Sequence, residues 1–390
     1  MTPSARHAAA IDILDLIISG TPAEKTLTSW ARRNRYAGSK DRAAIRDLVF
    51  DILRKYRSCL ALGGAETGRA LVLGALRQTN GDIEAIFTGE KYAPDQLTPD
   101  EAQGAKELND QPDAVRLDYP DWLESDLKLA LGDNLEPVMQ SLRTRAASFL
   151  RVNPRKGDRT AAIDLLRADG IIAIPAPLAP HALEVIENPR KTAQSRAYES
   201  GLVELQDVAS QAVIAELALP LAGRILDYCA GGGGKALAMA ASTDAAIFAC
   251  DAFPQRMNDL PARAKRAGAT ITSLPIDKAE TKAPYDLVFC DVPCSGSGAW
   301  RRSPASKWTL TRERLDELCE VQADILTRAS LLVAPDGNLA YATCSLLNCE
   351  NIDQVEGFLS RSGDFKLSHQ RVFTPIDGGD GLYIAILARK

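Results

Sequence analysis

The sequence predicts an α/β protein: a doubly wound sheet over residues 219–390, a smaller α+β subdomain over 126–218 and an all-α domain over 1–125. Three observations carry this. After Arg224, short β-prone runs alternate with helix-length stretches, as in a sheet wound by crossover helices. Successive runs end at or beside Asp227, Asp251, Asp291 and Cys344, where ligands of such sheets sit. Before residue 125, apolar residues instead recur at helical spacing.

Residues 5–19 and 42–61 are expected to be helical; Ile45, Leu48, Val49, Ile52, Leu53 and Tyr56 form one apolar stripe. Residues 68–77 and 99–109 continue the helical character, with Thr98 or Asp100 as a cap. Asp118-Tyr119-Pro120 marks a boundary. Ser148–Asn153, Ile171–Ile174 and residues 201–206 read as strands, with helices at Ala161–Asp169 and Asp207–Leu217. The last region reads as strands at Arg224–Cys229, Ala245–Cys250, Thr270–Leu274, Tyr285–Cys290, Gly337–Thr343 and Leu382–Leu387.

At 390 residues, the chain has length for about two to three domains. With 46% hydrophobic and 25% charged residues it is not collagen, coiled coil or a disordered chain. No apolar run approaches the ~18–20 residues that span a bilayer, and the N-terminus lacks the unbroken apolar core of a signal peptide. The expectation is a soluble cytoplasmic protein without membrane contact. Its eight cysteines should then be free thiols. With no C-x-x-C pair and three histidines, no metal site is expected. The net charge of −5 hides an asymmetry: +5 over residues 1–60, −10 over residues 81–126. The basic segment holds Arg32, Arg33, Arg35, Lys40, Arg42 and Arg46, either a solvated helix face or a face for a polyanion.

Three segments carry the chemistry. In Asp227-Tyr228-Cys229-Ala230-Gly231-Gly232-Gly233-Gly234-Lys235, four glycines between a strand and a helix allow close backbone approach to a ligand, or serve only as a packing turn. Asp251, ending the next strand, suits the ribose hydroxyls of a nucleotide-like cofactor. Asp291-Val292-Pro293-Cys294-Ser295-Gly296-Ser297-Gly298 and Ala342-Thr343-Cys344-Ser345 each set a cysteine at the mouth of the sheet, in company too polar for core. Two such thiols suggest nucleophilic catalysis. Cys59, Cys250 and Cys319 read as small core residues.

These motifs resemble the Sun/Fmu-type RNA cytosine-5 methyltransferases, nearest to the bacterial 16S ribosomal RNA enzymes of the RsmB-like group. The resemblance runs from about Trp122 to Lys390. It includes Phe149–Asn153, Gln206–Ser210, Arg301-Arg302-Ser303-Pro304, Lys307-Trp308 and Gly379–Tyr383 beside the three segments above. More weakly, residues 1–125 resemble the NusB-like helical domain that precedes this unit. The resemblance implies a Rossmann-like class I methyltransferase domain, S-adenosylmethionine as cofactor and small-subunit ribosomal RNA as partner, with the protein acting as a monomer.

It further implies that Cys344 attacks carbon 6 of cytosine, that Cys294 assists elimination and product release, and that Asp291 hydrogen-bonds the base edge and borders the cofactor. Cys229, Ala230, Gly231, Gly232, Gly233, Gly234 and Lys235 would cradle the cofactor, Asp251 its ribose and Asp277 its adenine. The RNA path must be basic, and Arg151, Arg301, Arg302 and Lys307 are expected to line it. Trp308 would stack on a base or pack internally. The chain departs from the family pattern where Gly231-Gly232 replaces Ala-Pro, Ala236 a threonine and Cys349 a glutamate. Transfer RNA, another RNA or DNA as substrate stays open, a DNA enzyme requiring Cys294 as nucleophile. So does a non-catalytic RNA-binding assembly factor.

Overall fold

The computed structural model describes residues 1–104 and 107–390. It contains two compact units: Met1–Arg145 with Trp300–Thr309, and Ala146–Ala299 with Leu310–Lys390.

The first unit is helical. Its principal helices are Pro3–Ile18, Ala23–Arg33, Ser39–Arg54, Tyr56–Gly63 and Gly68–Gln78. The stripe read from the sequence faces the core, where Ile45, Val49, Ile52 and Leu53 meet Ile13, Leu14, Leu27, Leu71 and Leu73. Thr2 caps the first helix through the Ala5 N–H, and Pro3 opens it, where no N–H is needed. A Cβ on Gly74 would lie 1.9 Å from the Cys59 carbonyl oxygen, so glycine permits that close crossing. The expected helix over residues 99–109 includes Ala105 and Lys106, which lie outside the described residues; Pro99–Ala102 and Leu108–Asp110 form short turns beside them. Helix continues to Leu135–Leu142, beyond the boundary expected at 125. Among the described residues, no single helix is long and apolar enough to cross a membrane.

Trp300–Thr309 packs within this helical unit. The helix Ser39–Arg54 leaves its last carbonyls without intrahelical partners. Trp308 Nε1 donates to the Leu53 oxygen at 2.7 Å, and Lys307 Nζ to the Arg54 oxygen at 3.2 Å. The Arg54 guanidinium in turn donates to the Arg301 carbonyl at 2.7 Å. Nearby, the buried Asp118 pairs with Arg143 at 2.8 Å and accepts from the Ser58 N–H and hydroxyl. These contacts correct the expected RNA roles of Arg301 and Lys307, which are 5% and 1% exposed. Trp308 packs internally, 5.3 Å from the Tyr56 ring.

The second unit begins with four strands: β1 (Ser148–Val152), β2 (Ile172–Pro175), β3 (Ala182–Glu187) and β4 (Val203–Leu205). They form an antiparallel sheet in the order β2-β3-β1-β4. β3 was absent from the sequence expectation.

The larger sheet comprises β5 (Arg224–Asp227), β6 (Ala246–Ala249), β7 (Ile271–Ser273), β8 (Tyr285–Asp291), β9 (Val333–Thr343), β10 (Phe365–Phe373) and β11 (Leu382–Arg389). Their order is β10-β11-β9-β8-β5-β6-β7, with β11 antiparallel to both neighbours. Side chains alternate between two cores. Ile225, Leu287, Phe289, Ala340 and Ile384 meet Val213, Leu237 and Met239 on one face. Leu226, Val288, Leu339, Tyr341 and Ala385 meet Leu326, Val355 and Phe358 on the other. This is the doubly wound α/β architecture expected. The chain leaves β5 toward β6 and β7 and returns to β8 on its other side, so the switch point lies between β5 and β8.

Candidate active site

The glycine loop follows β5 and opens the helix Gly234–Ser242. Gly233 has φ +76°, and a Cβ there would lie 2.4 Å from Leu260 Cδ1. Both conditions exclude a side chain. Gly231 donates its N–H to Asp251 Oδ2 at 2.8 Å, and the other Asp251 oxygen accepts from the Phe253 N–H at 2.8 Å. Asp251 is thus fixed beside the loop, 2% exposed.

Arg151 supports this loop from within. It is 7% exposed and donates through Nη1 to the Gly234 carbonyl at 3.0 Å and to Gln206 Oε1. This corrects its expected phosphate contact: a side chain committed to backbone inside the protein is not a surface cation. Arg302 is exposed. Asp207, next to Gln206, accepts from the Asp380 N–H at 3.1 Å, so two of the distant sequence motifs meet.

Asp227 ends β5 fully buried. Neither oxygen has a well-formed hydrogen bond, although the Ala236 N–H lies close enough to lower its pKa in part. Burial, then the charge of Asp291, push it up to about 8. Asp291, ending β8, accepts from Lys235 Nζ at 2.5 Å. Burial by itself would lower the Lys235 pKa, but the Asp291 charge and hydrogen bond overcome it and raise the net value.

The two motif cysteines meet: Cys294 Sγ lies 3.3 Å from Cys344 Sγ, both half-buried. The bond to Cys344, then burial, hold the Cys294 thiol well above its ordinary pKa. Cys229 and Cys290 are raised chiefly by burial, which keeps them protonated. Asp277 lies on the exposed turn after β7, 3.9 Å from Lys278.

Glu350 had no place in the sequence reading. Fully buried, it accepts at Oε1 from the Ser295 N–H at 2.7 Å and Gln322 Nε2 at 3.0 Å, and at Oε2 from the Ser295 and Ser345 hydroxyls. The only sequence signal was a carboxylate six residues after Cys344.

The strand order, the glycine loop and the acids at the strand ends together define a Rossmann-like class I methyltransferase fold. Residues 215–385 match the family model described as 16S rRNA methyltransferase RsmB/F, and residues 119–192 match the Methyltr_RsmF/B-like, ferredoxin-like domain. The chain belongs to the RsmB/F methyltransferase family. Two curated proteins named ribosomal RNA small subunit methyltransferase B are each 31% identical to it. The one from Photorhabdus laumondii aligns over 70% of this chain and 66% of its own length, and the one from Salmonella arizonae over 71% and 67%. The chain thus spans about two thirds of these relatives. The fold also matches the crystal structure of PH0851, with TM-score 0.76 and 22% identity over 99% of each chain. It matches NSun6 from Pyrococcus horikoshii, solved with SFG, with TM-score 0.60 and 18% identity over 69% of this chain and 98% of that one.

Proposed function

We propose that this protein methylates carbon 5 of a cytosine in small-subunit ribosomal RNA, using S-adenosylmethionine and a covalent bond from Cys344 to cytosine carbon 6. The observation that carries the reading is the 3.3 Å approach of Cys294 and Cys344 at the carboxyl edge of the sheet, alongside the Lys235–Asp291 pair. The family and the names of the relatives support ribosomal RNA as the substrate class.

The loop fits the cofactor: Asp251 is fixed beside Gly231, and Asp227 offers a buried carboxyl without a well-formed partner. Cys229–Lys235 and Asp251 would hold it, with Asp277 toward the adenine. When bound, S-adenosylmethionine supplies an electrophilic methyl group. Cys344, as thiolate, adds to carbon 6, and the electron pair moves to carbon 5, which becomes enamine-like and nucleophilic. Asp291 hydrogen-bonds the base edge and favours its protonated form during the addition. After methylation carbon 5 gives its proton to a base, the C–H electron pair re-forms the C5–C6 double bond, and the C6–S bond breaks with its pair returning to sulfur. Cys294 assists this elimination. The base must leave its stack to reach the thiols.

The phosphate contacts that burial denies to Arg151, Arg301 and Lys307 have another basis in the helical unit. A groove of about 930 Å³ is floored by Leu27, Trp30 and Ile45 and rimmed by Arg32, Arg35 and Arg42. We assign it to RNA, with Arg302 as a further exposed contact.

Cys344→Ala should abolish methyl transfer, and Cys294→Ala should accumulate a protein–RNA adduct that shifts on a denaturing gel. Methylation by Cys344→Ala would overturn the assignment. Bisulfite sequencing of RNA from cells with and without the gene separates ribosomal from transfer RNA. Failure to bind S-adenosylmethionine in calorimetry would favour a non-catalytic RNA-binding role.

A further inference from the structure

We propose that Glu350 is a positioning residue: its carboxylate clamps the two cysteine loops and sets the spacing of their sulfurs. The inference rests on Cys294 and Cys344 being the reaction centre.

A carboxyl in a protein interior must be compensated by hydrogen-bond partners. Glu350 has four, and their placement is the argument. Two come from Ser295, the residue after Cys294, and a third from Ser345, the residue after Cys344. The fourth, Gln322 Nε2, also donates to the carbonyl of Pro293, the residue before Cys294, at 3.0 Å. Asn351 completes the hold: Nδ2 donates to the Ser345 carbonyl at 2.9 Å, and Oδ1 accepts from Thr343, the residue before Cys344, at 2.6 Å. Each thiol is therefore flanked by residues bonded into one network. The loops also join directly, through the Gly298 N–H to the Cys344 carbonyl at 2.9 Å and the Ser297 and Ser345 hydroxyls at 3.0 Å. The one carboxyl therefore bonds to both cysteine loops at once.

The test reads sulfur spacing without RNA. Diamide takes two hydrogens from two thiols, forming a disulfide and a hydrazine, and peptide mass mapping identifies the bridge. From 3.3 Å, the sulfurs need only a small shift to the ~2.05 Å disulfide length. The wild type should form the Cys294–Cys344 bridge. Glu350→Gln should do so within about threefold of the wild-type rate, because an amide can accept from the Ser295 N–H and Gln322 while donating to the serine hydroxyl oxygens. Glu350→Ala should be slower by about tenfold or more, with affinity for S-adenosylmethionine held within about twofold and with kcat, not KM for the cofactor, falling in RNA methylation. If Glu350→Ala does not fold, Ser295→Ala/Ser345→Ala removes the hydroxyl arms alone and should slow the bridge by at least about threefold. An unchanged rate in whichever of these two variants folds, or no Cys294–Cys344 bridge in the wild type, overturns the clamp. A bridge that obeys these rates in a protein that methylates no cytosine supports the clamp and sinks the proposed reaction.

Discussion

Asp227 and Gly233 show how single residues set the limits of the cofactor loop. In an unfolded chain an aspartate titrates near 4, whereas the buried Asp227 is pushed up to about 8. The folded state binds its proton more tightly, so its contribution to stability is complete below pH about 4 and is lost as pH rises through about 8. Asp227→Asn cannot ionise. Its Tm relative to wild type should climb by several degrees between pH of about 5 and 9 in scanning fluorimetry; a pH-independent difference would refute the raised value. Gly233→Ala should cost about 1–3 kcal/mol from its left-handed backbone and the clash with Leu260. Urea unfolding checks the stability and calorimetry the expected loss of cofactor affinity. The sequence already exposed the glycines, the strand-end acids and the two reactive thiols, because a polar, glycine-rich strand end has few other uses. It concealed Arg151, Lys307 and Glu350, because a buried charge looks like a surface charge until its partners are known. Those partners are distant in sequence: Gly234 for Arg151, Leu53 and Arg54 near the Trp308–Lys307 segment, Ser295 for Glu350.

At the level of elements, the middle strands of the large sheet were legible, whereas β3, although interior to the smaller sheet, and β10 were missed. β5, β8 and β9 lie in the middle of the sheet, with apolar side chains on both faces, and were readable. β10 was not: it is an edge strand paired with β11 alone, and between Phe365 and Phe373 every residue is exposed. The C-terminal cap of helix Ser39–Arg54 was equally hidden, since Lys307 lies more than 250 residues from its acceptor. Burial lowers the Lys307 pKa to about 8 although Asp118 pulls the other way. Lys307→Met would leave the buried Asp118 with less compensation and the Arg54 carbonyl without its donor. The helical unit should lose about 3 kcal/mol, read as an earlier urea transition by circular dichroism; an unchanged midpoint would show that the ammonium contributes nothing there.

Across the whole molecule, the net charge of −5 conceals a local basic site. Arg32 and Arg35 are exposed on the groove rim. If both neutralise RNA phosphates, Arg32→Ala/Arg35→Ala should weaken single-stranded RNA binding and flatten the plot of log K against log salt by about 1.4. Filter binding between about 50 and 200 mM salt measures it, and an unchanged slope would remove RNA from the groove.

The assignment of Trp300–Thr309 to the helical unit has a consequence for the order of events on the ribosome. Trp300 and Lys307 are interior residues there, yet they are translated long after Arg145. The emerging N-terminal helices carry their own buried core, yet the end of Ser39–Arg54 lacks its partners while most of the methyltransferase sheet is synthesised. Vectorial folding, domain by domain as each is made, leaves this unit without its last segment until residue 309 has emerged. A nascent chain halted before residue 300 should therefore be cleaved by protease within residues 39–63, and one halted after 309 has emerged should resist.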